Sequence, residues 1–230
     1  MPRLKLYSQW KNTSMVGGVG NYLALTGARL RAEDLMYMGA CTHYIKSHRL
    51  EEMKQALVEA SQEDNAAQSW DCATNVLTQF HDDNIDAEAS FLSQNRQDID
   101  YAFDGKQSVE EILASLESMG PESRFAQETL KTLRKMSPTS LKVTLEGLKR
   151  GARARTIGEA LQIEYRMSQA FMKRGSDFYE GIRAALVDKD GNPKWSPATL
   201  EEVTDAIVES HFEELGEKEL CLTGNENAKL

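Results

Sequence analysis

The stretch SVEEILASLESMGP, positions 108–121, reads as a complete helix with its own start and stop. Ser108-Val109-Glu110-Glu111 is a capping box: the serine oxygen accepts from a free amide of the first turn, and the glutamate reaches back to the amide at the cap. Gly120-Pro121 ends the helix, because glycine tolerates the left-handed terminating conformation and proline cannot continue the ladder. The same punctuation recurs outward from this segment. Ser137-Pro138 places a cap before a proline at the first helical position, and Gly151 predicts the matching stop. Thr156-Ile157-Gly158-Glu159 and Thr199-Leu200-Glu201-Glu202 repeat the box.

Upstream, apolar residues fall at helical spacing. Leu50, Met53, Leu57 and Ala60 form one stripe, Trp70, Ala73 and Leu77 a second, and Phe91, Leu92, Ile99 and Phe103 a third. The pattern predicts about nine helices with short connections. The single strand candidate is Thr42-His43-Tyr44-Ile45. No repeat and no Pro/Ser/Gly-rich linker divides the chain, so no boundary between two domains is expected.

The 230 residues are 40% hydrophobic and 27% charged, which argues against a wholly disordered chain. No apolar run is long enough for a transmembrane helix, so no membrane partner is expected. With 27 basic and 36 acidic side chains the net charge is −9, the wrong sign for a duplex binder, so no nucleic-acid partner is expected either. Cys41, Cys72 and Cys221 have no paired spacing, which disfavours disulfides and zinc and fits a reducing compartment. The first 32 residues are free of acids and carry Arg3, Lys5, Lys11, Arg29 and Arg31, but with only Ser8 and Ser14 and no amphipathic face they read as a chance stretch rather than a transit peptide. The closing Ala228-Lys229-Leu230 resembles a peroxisomal Ser-Lys-Leu address and reads equally as an accidental tripeptide.

Charge is segregated. Eleven acids face one base, Arg96, between Glu59 and Asp104, whereas eight bases face three acids between Leu141 and Arg174. Within the basic run, Lys149, Arg150, Arg153 and Arg155 read either as a solvated face or as an attractor for a phosphorylated ligand. Gly17-Gly18-Val19-Gly20 lacks both the Walker lysine and the dinucleotide spacing, so a tight turn before a helix is expected. Asp188-Lys189-Asp190-Gly191-Asn192 fails as a calcium loop, with its glycine too early and Thr199 where the bidentate glutamate belongs. His43, His48, His81 and His211 show no ligand spacing. Cys41 and His43 lie two apart on one extended face, without an orienting acid. Asp82-Asp83 and Asp86-Ala87-Glu88 offer carboxylates in a polar stretch where burial cannot tune them. Residue types and spacing alone give a helical domain and no reaction.

Longer strings add a resemblance. Residues 22–30 (YLALTGARL), 39–45 (GACTHYI), 109–112 (VEEI), 136–142 (MSPTSLK), 164–169 (EYRMSQ) and 177–190 (DFYEGIRAALVDKD, running on to Pro193-Lys194-Trp195) are similar, in order and spacing, to the 3-hydroxyisobutyryl-CoA hydrolase branch of the crotonase (enoyl-CoA hydratase/isomerase) superfamily. The resemblance covers residues 15–215; residues 1–14 are an unmatched segment and 216–230 a polar tail. It implies a mainly α chain, the C-terminal helical part of a crotonase-like α/β fold with the sheet core largely missing. It implies hydrolysis of an acyl-CoA thioester in valine breakdown, with acyl-CoA as the family's substrate and no metal or redox cofactor.

In such hydrolases two backbone amides hold the thioester oxygen, and the catalytic acids sit in a Pro-Glu-Thr…Pro-Asp-Val-Gly-Gly segment upstream of the Tyr22–Gly27 string. Residues 1–14 do not resemble that segment, so no catalytic, cofactor-binding or metal residue is assigned. The expectation is a C-terminal fragment or splice form that is inactive alone. The rivals are another crotonase activity, a hydratase or isomerase, and a non-catalytic helical protein that pairs with itself or with a full-length hydrolase subunit. The resemblance implies a mitochondrial location, against the peroxisomal reading of the last three residues.

Overall fold

A computed structural model describes residues 17–61 and 69–221. They form two compact units, Arg29–Arg96 and Gly17–Ala28 together with the chain from Gln97 on. The chain passes from one unit to the other after Ala28 and again after Arg96. Among the described residues there are twelve α-helices and no β-strand. The mainly α reading holds. The helix number exceeds nine because several helices are only one or two turns long.

In chain order the helices are α1 (Val19–Thr26), α2 (Ala32–Tyr37), α3 (Leu50–Ser61), α4 (Ser69–Phe80), α5 (Phe91–Gln94), α6 (Arg96–Phe103), α7 (Val109–Ser118), α8 (Arg124–Leu133), α9 (Pro138–Arg153), α10 (Ile157–Phe171), α11 (Asp177–Ile182) and α12 (Asp205–Glu209). A π turn, Arg183–Val187, continues α11.

In the first unit α3 and α4 pack side by side, and the Arg49 guanidinium at the start of α3 lies 4.4 Å from the Phe80 ring at the end of α4. Asp34 is buried and joins two helix starts: one carboxylate oxygen accepts from Arg31 N at 3.0 Å, the other from Leu92 N at 3.0 Å. The strand expected over 42–45 is absent. The Tyr44 N–H donates to His81 Nδ1 at 2.9 Å and the Tyr44 carbonyl accepts from Asp82 N at 2.9 Å. Its backbone is therefore satisfied by the loop after α4 and has no ladder to build.

The second unit holds the larger core. Ile99, Phe103, Ile112, Leu116 and Leu133 are fully buried, and the Tyr22 ring meets Phe103 edge-on at 5.4 Å. A second cluster joins Val143, Val203, Val208 and Phe212 to Ile163 and Met167. Two glycines permit close approach. A Cβ on Gly18 would fall 2.5 Å from the Ile99 carbonyl oxygen, and one on Gly147 would fall 2.6 Å from Met167 Sδ.

The helix signals fare unevenly. Ser108, Ser137 and Thr156 each accept from the amide three residues on, at 3.0–3.1 Å. Gly120 closes its helix at φ +79°. Gly151 does not end α9, which runs on to Arg153 because Gly151 is not in the left-handed region. Nor does the Thr199 box start a helix. Glu202 instead accepts from Ala198 N at 2.8 Å, Lys142 Nζ takes the Val203 carbonyl at 3.1 Å, and α12 begins after Thr204.

Candidate functional site

An apolar cavity lies inside the second unit, bounded by α1, α9, α10, α11, the π turn and Trp195, with a volume of about 810 Å³. Its wall is apolar: Leu25, Leu141, Phe171, Ile182 and Trp195 face it. Ser140, Thr144 and Ser168 also line it, and at the start of α9 it meets a buried polar pair. Ser137 Oγ caps the helix by accepting from Ser140 N, and it donates to Asp177 Oδ2. The other oxygen, Asp177 Oδ1, accepts from Ser196 N at 3.0 Å. Asp177 is 7% exposed and Ser137 5%, so this carboxylate and hydroxyl are already committed to each other. The arrangement ties α9, α11 and the loop through Ser196 together. It offers an apolar ligand a shaped wall.

Trp195 closes one side. Its indole Nε1 donates to the Lys135 carbonyl at 3.0 Å, and its ring lies 3.5 Å from where a Cβ on Gly181 would be, an ordinary van der Waals contact. The backbone leading to it is pinned by Glu180, whose Oε1 accepts from Lys194 N at 2.6 Å. Glu180 is held down to about 2 by the Arg183 guanidinium first and the Lys194 amide second. Arg183 is raised by the carboxylates of Glu180, Asp190 and Asp188.

The residues singled out in the sequence fall elsewhere. Gly18 does form the turn before α1, its amide donating to Asp100 Oδ1 at 2.9 Å. His43 has Thr42 Oγ1 at 2.9 Å from one ring nitrogen and Thr78 Oγ1 at 3.3 Å from the other, so hydroxyls, not Cys41, engage it. Asp82 pairs with Lys46 Nζ at 2.8 Å and is lowered to about 2 by that lysine and by Asn84. Asp86 caps the Glu88 and Ala89 amides. No cluster of three or more metal-binding side chains occurs among the described residues.

Of the basic run, Lys149 Nζ donates to the Gln107 carbonyl. Arg150 bridges Glu146 and Glu209 and stacks 4.0 Å from the Phe212 ring centre. These two cations serve the fold, while Arg153 and Arg155 are exposed. Ala228-Lys229-Leu230 and residues 1–14 lie outside the described residues. Among the described residues no helix is long and apolar enough to cross a membrane. The sequence reading missed Asp177 and Trp195 as a pair of walls. The 177–190 string with Trp195 after it was the available signal.

A family profile described as enoyl-CoA hydratase/isomerase matches residues 8–212. The chain belongs to this enoyl-CoA hydratase/isomerase family. Among curated relatives, the human mitochondrial 3-hydroxyisobutyryl-CoA hydrolase is 43% identical over 205 residues, 89% of this chain and 51% of its own length. The Dictyostelium discoideum protein of the same name is 37% identical over 85% of this chain and 49% of its own. Two solved structures share the fold. A carnitinyl-CoA dehydratase from Mycobacterium thermoresistibile has a TM-score of 0.74 at 33% identity, covering 91% of this chain and 55% of the other. An enoyl-CoA hydratase from Rhodobacter sphaeroides has a TM-score of 0.71 at 31% identity. This enoyl-CoA hydratase/isomerase family member spans about half the length of the curated relatives it matches. Its all-helical described residues fit a helical portion of an α/β family fold.

Proposed function

We propose that this chain supplies the helical portion of a 3-hydroxyisobutyryl-CoA hydrolase, with the α9–α11 cavity taking the apolar end of an acyl thioester. The observation that carries the reading is the 43% identity to the human hydrolase across 89% of the chain. Thioester hydrolysis develops negative charge on the carbonyl oxygen. It needs preorganised amide donors and a carboxylate to act as nucleophile or activate water. Asp177, the carboxylate facing the cavity, is engaged by Ser137 and Ser196. On this reading the donors and the acting acid come from the half of the fold that the relatives carry beyond the matched region.

The test joins this chain behind the N-terminal half of the human relative. Release of free thiol from 3-hydroxyisobutyryl-CoA, with no hydration of an enoyl-CoA, is the result expected. The names of the two solved structures favour hydratase or dehydratase chemistry as the second reading. Hydration without thiol release would select it.

We infer a mitochondrial location from the names of the relatives. A fluorescent tag placed ahead of Met1, leaving Leu230 free, tests the peroxisomal alternative. Exposed Leu186 and Val187 beside the cavity support self-association or pairing with a full-length subunit. Sedimentation at several concentrations, with and without the human relative, checks both.

A further inference from the structure

Arg183 sits at the centre of the loop that brings Trp195 to the cavity. Its Nε and Nη2 donate to the two oxygens of Glu180 at 2.9 and 2.8 Å. Its Nη1 donates to Asp188 at 2.6 Å and to Asp190 at 2.7 Å, and Nη2 also reaches the Asn192 carbonyl at 3.3 Å. One guanidinium thus gathers three carboxylates from the end of α11 and from the returning loop. The loop is turned by two residues with positive φ, Lys189 at +56° and Gly191 at +59°. Beyond it, Lys194 N is held by Glu180, Trp195 Nε1 by the Lys135 carbonyl, and Ser196 N by Asp177. The sequence pattern Asp188-Lys189-Asp190-Gly191-Asn192 is that of a failed calcium loop, and the structure gives the reason a loop of this charge closes without one. The positive charge at its centre is an arginine from five residues upstream of Asp188.

We infer that Arg183 is a positioning residue for the cavity: by neutralising Glu180, Asp188 and Asp190 together, it folds the 188–194 loop back and lays Trp195 against Gly181 as the cavity wall. Without that charge three carboxylates would face one another, with the ammonium of Lys194 nearby, bonded to Asn192 Oδ1 at 3.3 Å. Like charges at such range repel. A fork that bonds on several edges holds them in one geometry, which a point charge does not. The ligand side of the inference rests on the cavity taking an acyl thioester. The loop side does not.

The experiment uses the full chain with Trp10→Phe and Trp70→Phe, so that Trp195 is the one remaining tryptophan. Without ligand, Arg183→Gln is expected to shift Trp195 emission to the red while far-ultraviolet circular dichroism stays unchanged. Arg183→Gln combined with Asp188→Asn and Asp190→Asn is expected to return the emission toward the parent, because the repulsion has been removed. With octanoyl-CoA as probe, the parent should show a saturable change in Trp195 emission. Arg183→Gln should bind at least tenfold more weakly, and the triple variant within threefold of the parent. Unchanged emission in Arg183→Gln would overturn the inference, as would a triple variant as red-shifted as the single one. A parent that ignores octanoyl-CoA while Arg183→Gln still shifts the ligand-free emission would sink the acyl-thioester reading and leave the positioning role standing.

Discussion

The helices α3 and α4 of the first unit and α6 to α9 of the second display the same apolar periodicity in sequence but not the same burial. Among their described side chains, α3 has none that is buried and α4 has Phe80. In the second unit Ile99, Phe103, Ile112, Leu116 and Leu133 are at most 1% exposed. Trp70, a member of the α4 stripe, is 75% exposed. A 3.6-residue stripe therefore announces a face that can be buried, and says nothing of what covers it. In a chain that matches half the length of its relatives, this difference separates helices that complete a core among themselves from helices whose stripes stay open.

Truncations should expose that contrast, beginning with the largest effect. Phe103→Ala should cost about 4 kcal/mol in urea unfolding, since it removes a fully buried ring from the second core. Asp177→Ala should cost about 2–3 kcal/mol, because it strands the buried Ser137 hydroxyl and takes the partner from the Ser196 amide. Asp177→Asn should recover part of that loss. Gly18→Ala should cost about 2 kcal/mol, its methyl group pressing on the Ile99 carbonyl and forcing backbone movement. Trp70→Ser should stay within about 0.5 kcal/mol. A Trp70 variant as damaging as Phe103→Ala would erase the distinction between the two regions.

Acid should not separate them. Asp82 in the first unit and Glu180 in the second are both lowered to about 2 by paired cations. A depressed carboxylate stabilises the fold fully above its unfolded value and loses that contribution as pH falls through its folded value. Both ion pairs should therefore hold from neutral pH to about 4, the ordinary carboxylate range, and fail together as pH approaches about 2. Trp195 emission and the histidine resonances of the first unit report the two sites separately.

Local chemistry was legible in the sequence. The Ser108, Ser137 and Thr156 caps each involve atoms three residues apart, and the structure has them. So was the helical class, because only the short 42–45 stretch competes as a strand. What depended on distant partners was not. The Thr199 box was outbid by Glu202 reaching Ala198 and by Lys142, 61 positions from Val203, taking its carbonyl. Tyr44 looked strand-like until His81, 37 positions on, took its amide. The floor of the cavity was hidden for the same reason, since Asp177 meets a serine 40 residues earlier and an amide 19 residues later. The Arg183 clamp lay half in view: Glu180 is three residues away on one helix face, but the turn that returns Asp188 and Asp190 is set by backbone conformation.

On the proposed reading this chain carries the helical part of a thioester hydrolase, and the reacting groups lie in the half that the relatives carry beyond the matched region. Thiol release from 3-hydroxyisobutyryl-CoA, measured for the 230-residue chain alone beside the same chain joined to the N-terminal half of the human relative, tests it most directly. A background rate is expected from the first and turnover from the second. Turnover by the chain alone, abolished by Asp177→Asn, would contradict it.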